Sequence, residues 1–272
     1  MKRDHLMGQA GRWCLVLAAA AATVFPFYWL AVLATRDPVD ALDHPQLIYL
    51  PDLSAFASVW SDGHLIRAVF MSCAVTALTV ALVLAITVPA AYGLVRKRIR
   101  RRVGLVGWLL VAYLLPDFLV AIPMYALLQN VGLYDNPIGL SLVYQAFMAP
   151  LAMWLLLRFF QEVPAELAEA AIVDGCGDGA TLVRVYLPLV MPGVATTAII
   201  VGMLAWNEVT VALALTIKHP TLPIMVSSFK GYASIAWDQT AAASLLVTVP
   251  VFVFALFAQK RIVAGLTAGI GK

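Results

Sequence analysis

Apolar residues in this chain come in long runs. They do not alternate as in a half-buried strand, nor recur at three-four spacing as in a water-facing helix. Six runs approach or exceed the ~20 residues a helix needs to cross a hydrocarbon layer: 13–33, 68–95, 103–128, 138–157, 189–217 and 241–258. The pattern predicts an all-α, polytopic membrane protein with six transmembrane helices, forming one transmembrane domain over 1–272. The first run has a basic lead in Lys2, Arg3 and Arg12, as a secretory signal does. Its apolar stretch exceeds the roughly 7–15 residues of a signal's core, so it reads as a retained helix.

Composition agrees with this pattern. The chain is 62% hydrophobic and 12% charged, about half the ~25% charge of a soluble domain. The placement of charge says more than its net value of +3. With the N-terminus inside, the inner set is Lys2, Arg3, Arg12, Arg96, Lys97, Arg98, Arg100, Arg101, Arg102, Arg158, Arg184, Lys260, Arg261 and Lys272. Only Arg36, Arg67, Lys218 and Lys230 fall outside, leaving fourteen of the eighteen Lys and Arg inside. Basic residues stay on the cytoplasmic side, so both termini are expected there. The basic run at 96–102 is then a topology anchor and no sign of nucleic acid. The outer loop 35–64 carries Asp37, Asp40, Asp43, Asp52 and Asp62 and predicts a small cap. The loop 218–240 is the second sizeable outer segment.

Enzyme chemistry finds little support. Cys14, Cys73 and Cys176 lie far apart with no CxxC pair, against a disulfide framework or zinc site. The four histidines all fall outside the apolar runs. The C-terminal Gly-Lys lacks the spacing of a phosphate-binding Walker loop. Residues 175–180 fit a GxGxxA pattern, but no strand precedes them. Prolines recur within the runs, at Pro26, Pro89, Pro116, Pro123, Pro150 and Pro250. Each removes a backbone hydrogen bond and is expected to kink its helix, as suits a bundle lining a cavity. Two acids also lie within runs, Asp117 and Glu208. A charge at mid-bilayer costs at least ~2.5 kcal/mol, so such residues face the bundle interior or water. The expectation is that they line a path or gate through the bundle, or, for Glu208, brace helices near the outer surface.

The segment 161–188 is polar and predicts a cytoplasmic helix–turn–helix. Pro164 suits a first turn, and Glu166 and Glu169 sit at the positive helix end. Gly175, Gly177 and Gly179 supply the turn. A second short helix, 180–187, is expected to end before Pro188. Leu182, Val185 and Leu189 share one apolar face, so the knob would dock in a partner's groove.

Glu169, Ala170, Ala171, Asp174, Gly175, Val185, Leu187 and Pro188 stand in an order that resembles the EAA loop of binding-protein-dependent ABC importer permeases. Cys176 replaces the usual alanine, and Leu182 stands at a usually aromatic position. Trp206-Asn207-Glu208, Thr221-Leu222-Pro223 and Gly265-Leu266-Thr267-Ala268-Gly269 resemble signatures of the maltose/trehalose-type branch. Pro123, Tyr125, Leu133-Tyr134-Asp135 and Ala90-Ala91-Tyr92 match it as well.

The resemblance implies the type I importer fold and a non-catalytic permease subunit in a prokaryotic inner membrane. Glu169, Ala170, Ala171, Asp174, Gly175, Leu182, Val185, Leu187 and Pro188 would couple it to an ATPase. Implied partners are a second homologous permease, two ATPase copies that bind ATP and Mg, an extracytoplasmic sugar-binding protein and membrane lipid. No cofactor is expected in this chain. The cargo would be a di- or oligosaccharide. Asp117, Trp206, Asn207 and Glu208 are candidates for its path or gate, and Thr221, Leu222 and Pro223 for the binding-protein contact. Tryptophan also populates membrane-interface belts, the expected role of Trp108 and Trp154. The same machine could carry a non-sugar solute such as glycerol phosphate. An ATP-independent secondary transporter would usually show paired repeats, and none is visible.

Overall fold

The structure, a computed structural model, describes residues 2–43, 49–61, 63–97, 102–114, 116–229 and 236–268. Asp62, Arg98, Arg100, Arg101, Lys230, Gly269 and Lys272 lie outside them. Every regular element among the described residues is helical. In order they are α1 (Lys2–Thr35), α2 (Pro38–Asp43), α3 (Ser54–Ser61), α4 (His64–Arg96), α5 (Arg102–Tyr113), α6 (Asp117–Asn130), α7 (Pro137–Gln161), α8 (Ala165–Val173) and α9 (Asp178–Thr181). A π turn (Leu182–Tyr186) leads into α10 (Leu187–Asn207), followed by α11 (Thr210–Leu215), α12 (Leu222–Ser228) and α13 (Trp237–Ala268).

Five described helices are long and apolar enough to cross a membrane: Arg12–Thr35, His64–Arg96, Pro137–Gln161, Asp178–Asn207 and Trp237–Leu256. They contain the expected spans 13–33, 68–95 and 138–157 and overlap 241–258 as far as Leu256. The other two spans differ. The run 103–128 is broken between α5 and α6, where Pro116 takes an extended conformation (φ −58°, ψ 129°). Proline lacks an N–H and biases the residue before it away from helix, so the ladder stops here. The helices run on through Pro26, Pro89, Pro123, Pro150 and Pro250. The run 189–217 also breaks, because α10 ends at Asn207 and Glu208 is extended (ψ 127°).

The expected separate helix 180–187 is not separate either. It passes through the π turn straight into α10, and the Leu187 N–H donates five residues back to the Leu182 carbonyl. The wider turn admits Pro188, which has no N–H to give.

The chain groups into two compact units, Met1–Leu65 with Val226–Val249, and Ile66–Met225 with Pro250–Lys272. In the first, Ala34, Ala55, Ala241 and Ala242 form a small-residue core, with Leu30, Leu33, Phe56 and Leu245 packed on it. Much of α1 leaves large apolar side chains uncovered, among them Trp13, Leu15, Leu17, Val24 and Phe25. So large an apolar surface suits lipid and not water.

The second unit has two cores along α7, its most buried long helix. One joins Met71, Val75, Tyr144, Phe147, Val201, Ala205, Val211 and Leu215. The other joins Tyr92, Leu156, Phe160, Ala168, Tyr186 and Val190. Two glycines mark close approaches. A Cβ on Gly193 of α10 would overlap the Phe159 ring of α7, and one on Gly139 would overlap the Leu133 carbonyl oxygen.

Candidate functional site

The first candidate surface is the knob made by α8 and the turn after it. Ala168 and Ala171 are buried, whereas Leu167, Ile172 and Val173 are exposed, Val173 to 87%. Glu166, Glu169, Asp174 and Asp178 are exposed around them, giving an apolar tip with an acidic rim. The turn is built by backbone hydrogen bonds. The Gly175 N–H donates to the Ile172 carbonyl at 2.9 Å and the Cys176 N–H to the Ala171 carbonyl at 2.9 Å. With Gly175 at φ +80°, this is a Schellman termination. Asp174 is the C-cap after Val173, and glycine takes the left-handed place that a Cβ would strain.

The base of the knob is aromatic. Tyr186 stacks on Phe160 (centroids 6.0 Å apart, planes at 16°) and meets the edge of Tyr92 at 5.0 Å. The Asp178 carboxylate lies 3.9 Å from Arg96 Nε. Leu182 and Val185 pack inward on this cluster. The face expected to dock is therefore partly the mount of the knob, and the exposed apolar surface belongs to α8. Among the other expected coupling residues, Glu169, Ala170, Asp174, Gly175 and Pro188 are exposed, Leu187 is half-buried and Ala171 is buried.

The second candidate is an open cleft of about 450 Å³. Its polar lining is Asp117, Asn207, Glu208 and Thr210, and its apolar lining is Met203, Leu204 and Val209. Two helix breaks converge here, the one before α6 and the one between α10 and α11. Interrupted backbone is tolerated at membrane depth where it lines a cavity.

The two acids differ in their bonding. Glu208 Oε1 accepts from the Val211 N–H at 2.8 Å; Oε2 accepts from the Ala212 N–H at 3.0 Å and from the Tyr144 hydroxyl at 2.7 Å. Glu208 thus caps α11 and braces it to α7. No hydrogen bond or ion pair holds the Asp117 carboxylate among the described residues. Asn207 donates to the Met203 carbonyl at 2.8 Å. Trp206 is 3% exposed and turns into the packing, away from this lining.

A third arrangement holds the loops nearby. Asp135, at φ +55°, accepts from the N–H groups of Ile217 (3.0 Å), Lys218 (3.0 Å) and His219 (3.1 Å). His219 Nδ1 is 3.3 Å from its carboxylate. Burial pushes the Asp135 carboxyl up, but these donors outweigh it and its pKa is lowered. Thr221 and Leu222 are buried, and the Leu222 N–H donates to Ser72 Oγ at 2.7 Å. These two side chains anchor the loop and offer no free surface; Pro223 is half-buried.

Residues 78–267 match the binding-protein-dependent transport system inner membrane component. The chain belongs to this family. It is therefore a multi-pass ABC transporter permease of the inner membrane. Over 259 residues it is 31% identical to the trehalose/maltose transport system permease protein MalG of Thermococcus litoralis, covering 92% of both chains. It is 30% identical over 276 residues to the diacetylchitobiose uptake system permease protein DasC of Streptomyces coelicolor, covering 100% of both. Its fold is similar to a chain in the crystal structure of a bacterial ABC transporter involved in the import of the acidic polysaccharide alginate. There the TM-score is 0.77 and the identity 22%, over 96% of this chain and 98% of that one.

In this permease, sequence reasoning brought out Asp117, Asn207 and Glu208, and the structure gathers all three at one cleft. It gave no role to Tyr144 or Ser72, which hold α11 and α12. A hydroxyl within an apolar helix was the available signal for both. Asp135 lies in the Leu133-Tyr134-Asp135 loop, but nothing local foretold that its acceptors are used 82 to 84 residues away.

Proposed function

We propose that this chain is one of two homologous transmembrane subunits of an ATP-driven importer carrying a di- or oligosaccharide. It crosses the membrane six times with both termini in the cytoplasm, and α5 and α6 together make the third crossing. The α8 knob enters a cleft of a separate ATPase, two copies of which bind ATP and Mg. An extracytoplasmic binding protein delivers the sugar, and this chain holds no cofactor. Asp117 and Asn207 line the sugar's path, with Glu208 bracing it.

The observation that carries this reading is the knob. It is an exposed apolar tip, closed by a hydrogen-bonded turn and mounted on a stacked aromatic base. Such a tip transmits force only if it meets a partner, because a free apolar surface in the cytoplasm gains nothing. The sugar follows from the kinship with permeases named for trehalose, maltose and diacetylchitobiose. The structural neighbour bound to a pentasaccharide-carrying periplasmic protein supports the external partner.

The test is ATP hydrolysis by the purified complex in lipid, with and without sugar-loaded binding protein. Gly175→Pro cannot adopt φ +80°, since proline is fixed near −65°. The expected result is assembly without stimulated hydrolysis. If no ATPase accompanies the chain, or the variant is stimulated as fully as wild type, the coupling reading fails.

A further inference from the structure

The lining of the cleft carries a charge signature. It presents two carboxylates, Asp117 and Glu208, with the side chains of Asn207 and Thr210. Among the described residues no lysine, arginine or histidine lines it. The helix ends offset the charge only partly. The N-termini of α6 at Asp117 and of α11 beside Glu208 are each worth about half a positive charge at most, and the C-terminus of α10 at Asn207 adds about half a negative one. About one and a half negative charges are left. Glu208 is engaged by three donors, so the surplus rests with Asp117, which is exposed and held by no described partner.

We propose that this cleft selects cargo by charge, admitting glycans of neutral or amine-bearing sugar units and rejecting uronates and sugar phosphates, with Asp117 as the specificity-determining residue. The proposal rests on the cleft being the path. Neutral hydroxyls donate to carboxylate and amide oxygens, and an ammonium does so with charge assistance. A carboxylate or phosphate on the cargo would meet a like charge with no described cation in the lining to relieve it. The same chemistry separates this permease from the glycerol phosphate alternative.

Thiol chemistry tests the charge without knowing the cargo. Cys14, Cys73 and Cys176 are replaced by serine, and Thr210→Cys places one thiol in the cleft of the complete complex in lipid nanodiscs. Its reaction rates with cationic trimethylammonium-ethyl and anionic sulfonatoethyl methanethiosulfonate are each divided by those of a free thiol. A unit charge ~7 Å away in a water-like medium shifts a monovalent reagent's local concentration about threefold. Opposite shifts for opposite reagents multiply to about tenfold in favour of the cation. Asp117→Asn should bring the ratio to within about threefold, and Glu166→Gln on the knob should leave it unchanged. Equal rates, a ratio indifferent to Asp117→Asn, or a thiol unreactive to both reagents would each overturn the proposal. Binding-protein-stimulated hydrolysis is measured on the unaltered complex in the same nanodiscs. Its absence there, with the charge ratio intact in the Thr210→Cys preparation, would count against the importer reading and leave the cleft's charge selectivity standing.

Discussion

The bond between Tyr144 and Glu208 is the sharpest energetic test of the cleft's construction. Tyr144 is fully buried on α7, and its hydroxyl lies 2.7 Å from Glu208 Oε2, which also accepts from the Ala212 N–H at 3.0 Å. In Glu208→Gln the side chain keeps one acceptor oxygen in place of two. One of three donors must then face an N–H₂ group. A hydrogen bond to a charged group contributes about 1.5–3 kcal/mol, and an orphaned buried donor costs about 1–3. We expect Glu208→Gln to destabilise the chain by about 2–3 kcal/mol and Tyr144→Phe by about 1–2. Polar contacts between membrane helices average only ~0.6 kcal/mol, with a maximum near 1.7, because the unfolded chain finds other partners. The charge here places the coupling near the upper end, at about 1.5 kcal/mol. The assay is a double-mutant cycle by equilibrium unfolding in mixed micelles. Coupling below about 0.5 kcal/mol, the ordinary error of additivity, would refute the bracing role. Asp117→Asn is the contrast, since its carboxylate holds nothing in place. It should shift stability by no more than about 0.5 kcal/mol.

Three further outcomes follow from the geometry. Gly139→Ala drives a methyl into the Leu133 backbone oxygen, and a backbone atom has no rotamer to yield; it should cost at least the ~1–3 kcal/mol of overpacking. Gly93→Ala on α4 meets nothing within 4 Å and should stabilise by up to about 1 kcal/mol, measured in the same unfolding assay. Asp135 sets a pH dependence. Its folded pKa is lowered by backbone donors against the pull of burial, so its contribution is complete above the unfolded value near ~3.9. That contribution is lost as pH falls through the folded value. Asp135→Asn should lower stability at pH 7 and flatten the acid limb of the profile, and an unchanged acid limb would refute the clamp.

The sequence resolved long-range class better than local interruption. Apolar runs report only which solvent a segment meets, and lipid dictates a helix wherever a run is long enough. That logic located α1, α4, α7 and α13. It carried the third and fifth spans through their breaks, because hydropathy takes no account of backbone geometry at Pro116 or Glu208. Both breaks were nonetheless marked in the chain, one by proline followed by acid and the other by Asn-Glu within an apolar run. The Schellman turn was readable from Asp174-Gly175 because its bonds are local. The inward turn of Leu182 and Val185 was not readable, since periodicity gives a face and not the neighbour it meets. The clamp at Asp135 depends on residues that only the fold brings near.

These elements also connect the two candidate sites. α10 begins at the knob's aromatic base and ends at Glu208, about 30 Å on at 1.5 Å per residue. α7 runs between the same two places, with Phe160 under the knob and Tyr144 on Glu208. At Gly193 the two helices approach so closely that a single added carbon would overlap the Phe159 ring. Closely packed helices of this kind move together, because interiors are dense and resist gradual deformation. On the coupling proposed above, a displacement imposed on the knob is expected to reach the cleft as motion of a two-helix body. The place left to absorb it is the break before Asp117, at the cleft's edge, because Glu208 is tied to α7 and α11. Gly193→Leu should separate the two helices, and the loss should appear in transport coupled to hydrolysis before it appears in hydrolysis alone. Equal loss of both would mean that the α7–α10 contact serves assembly and transmits nothing.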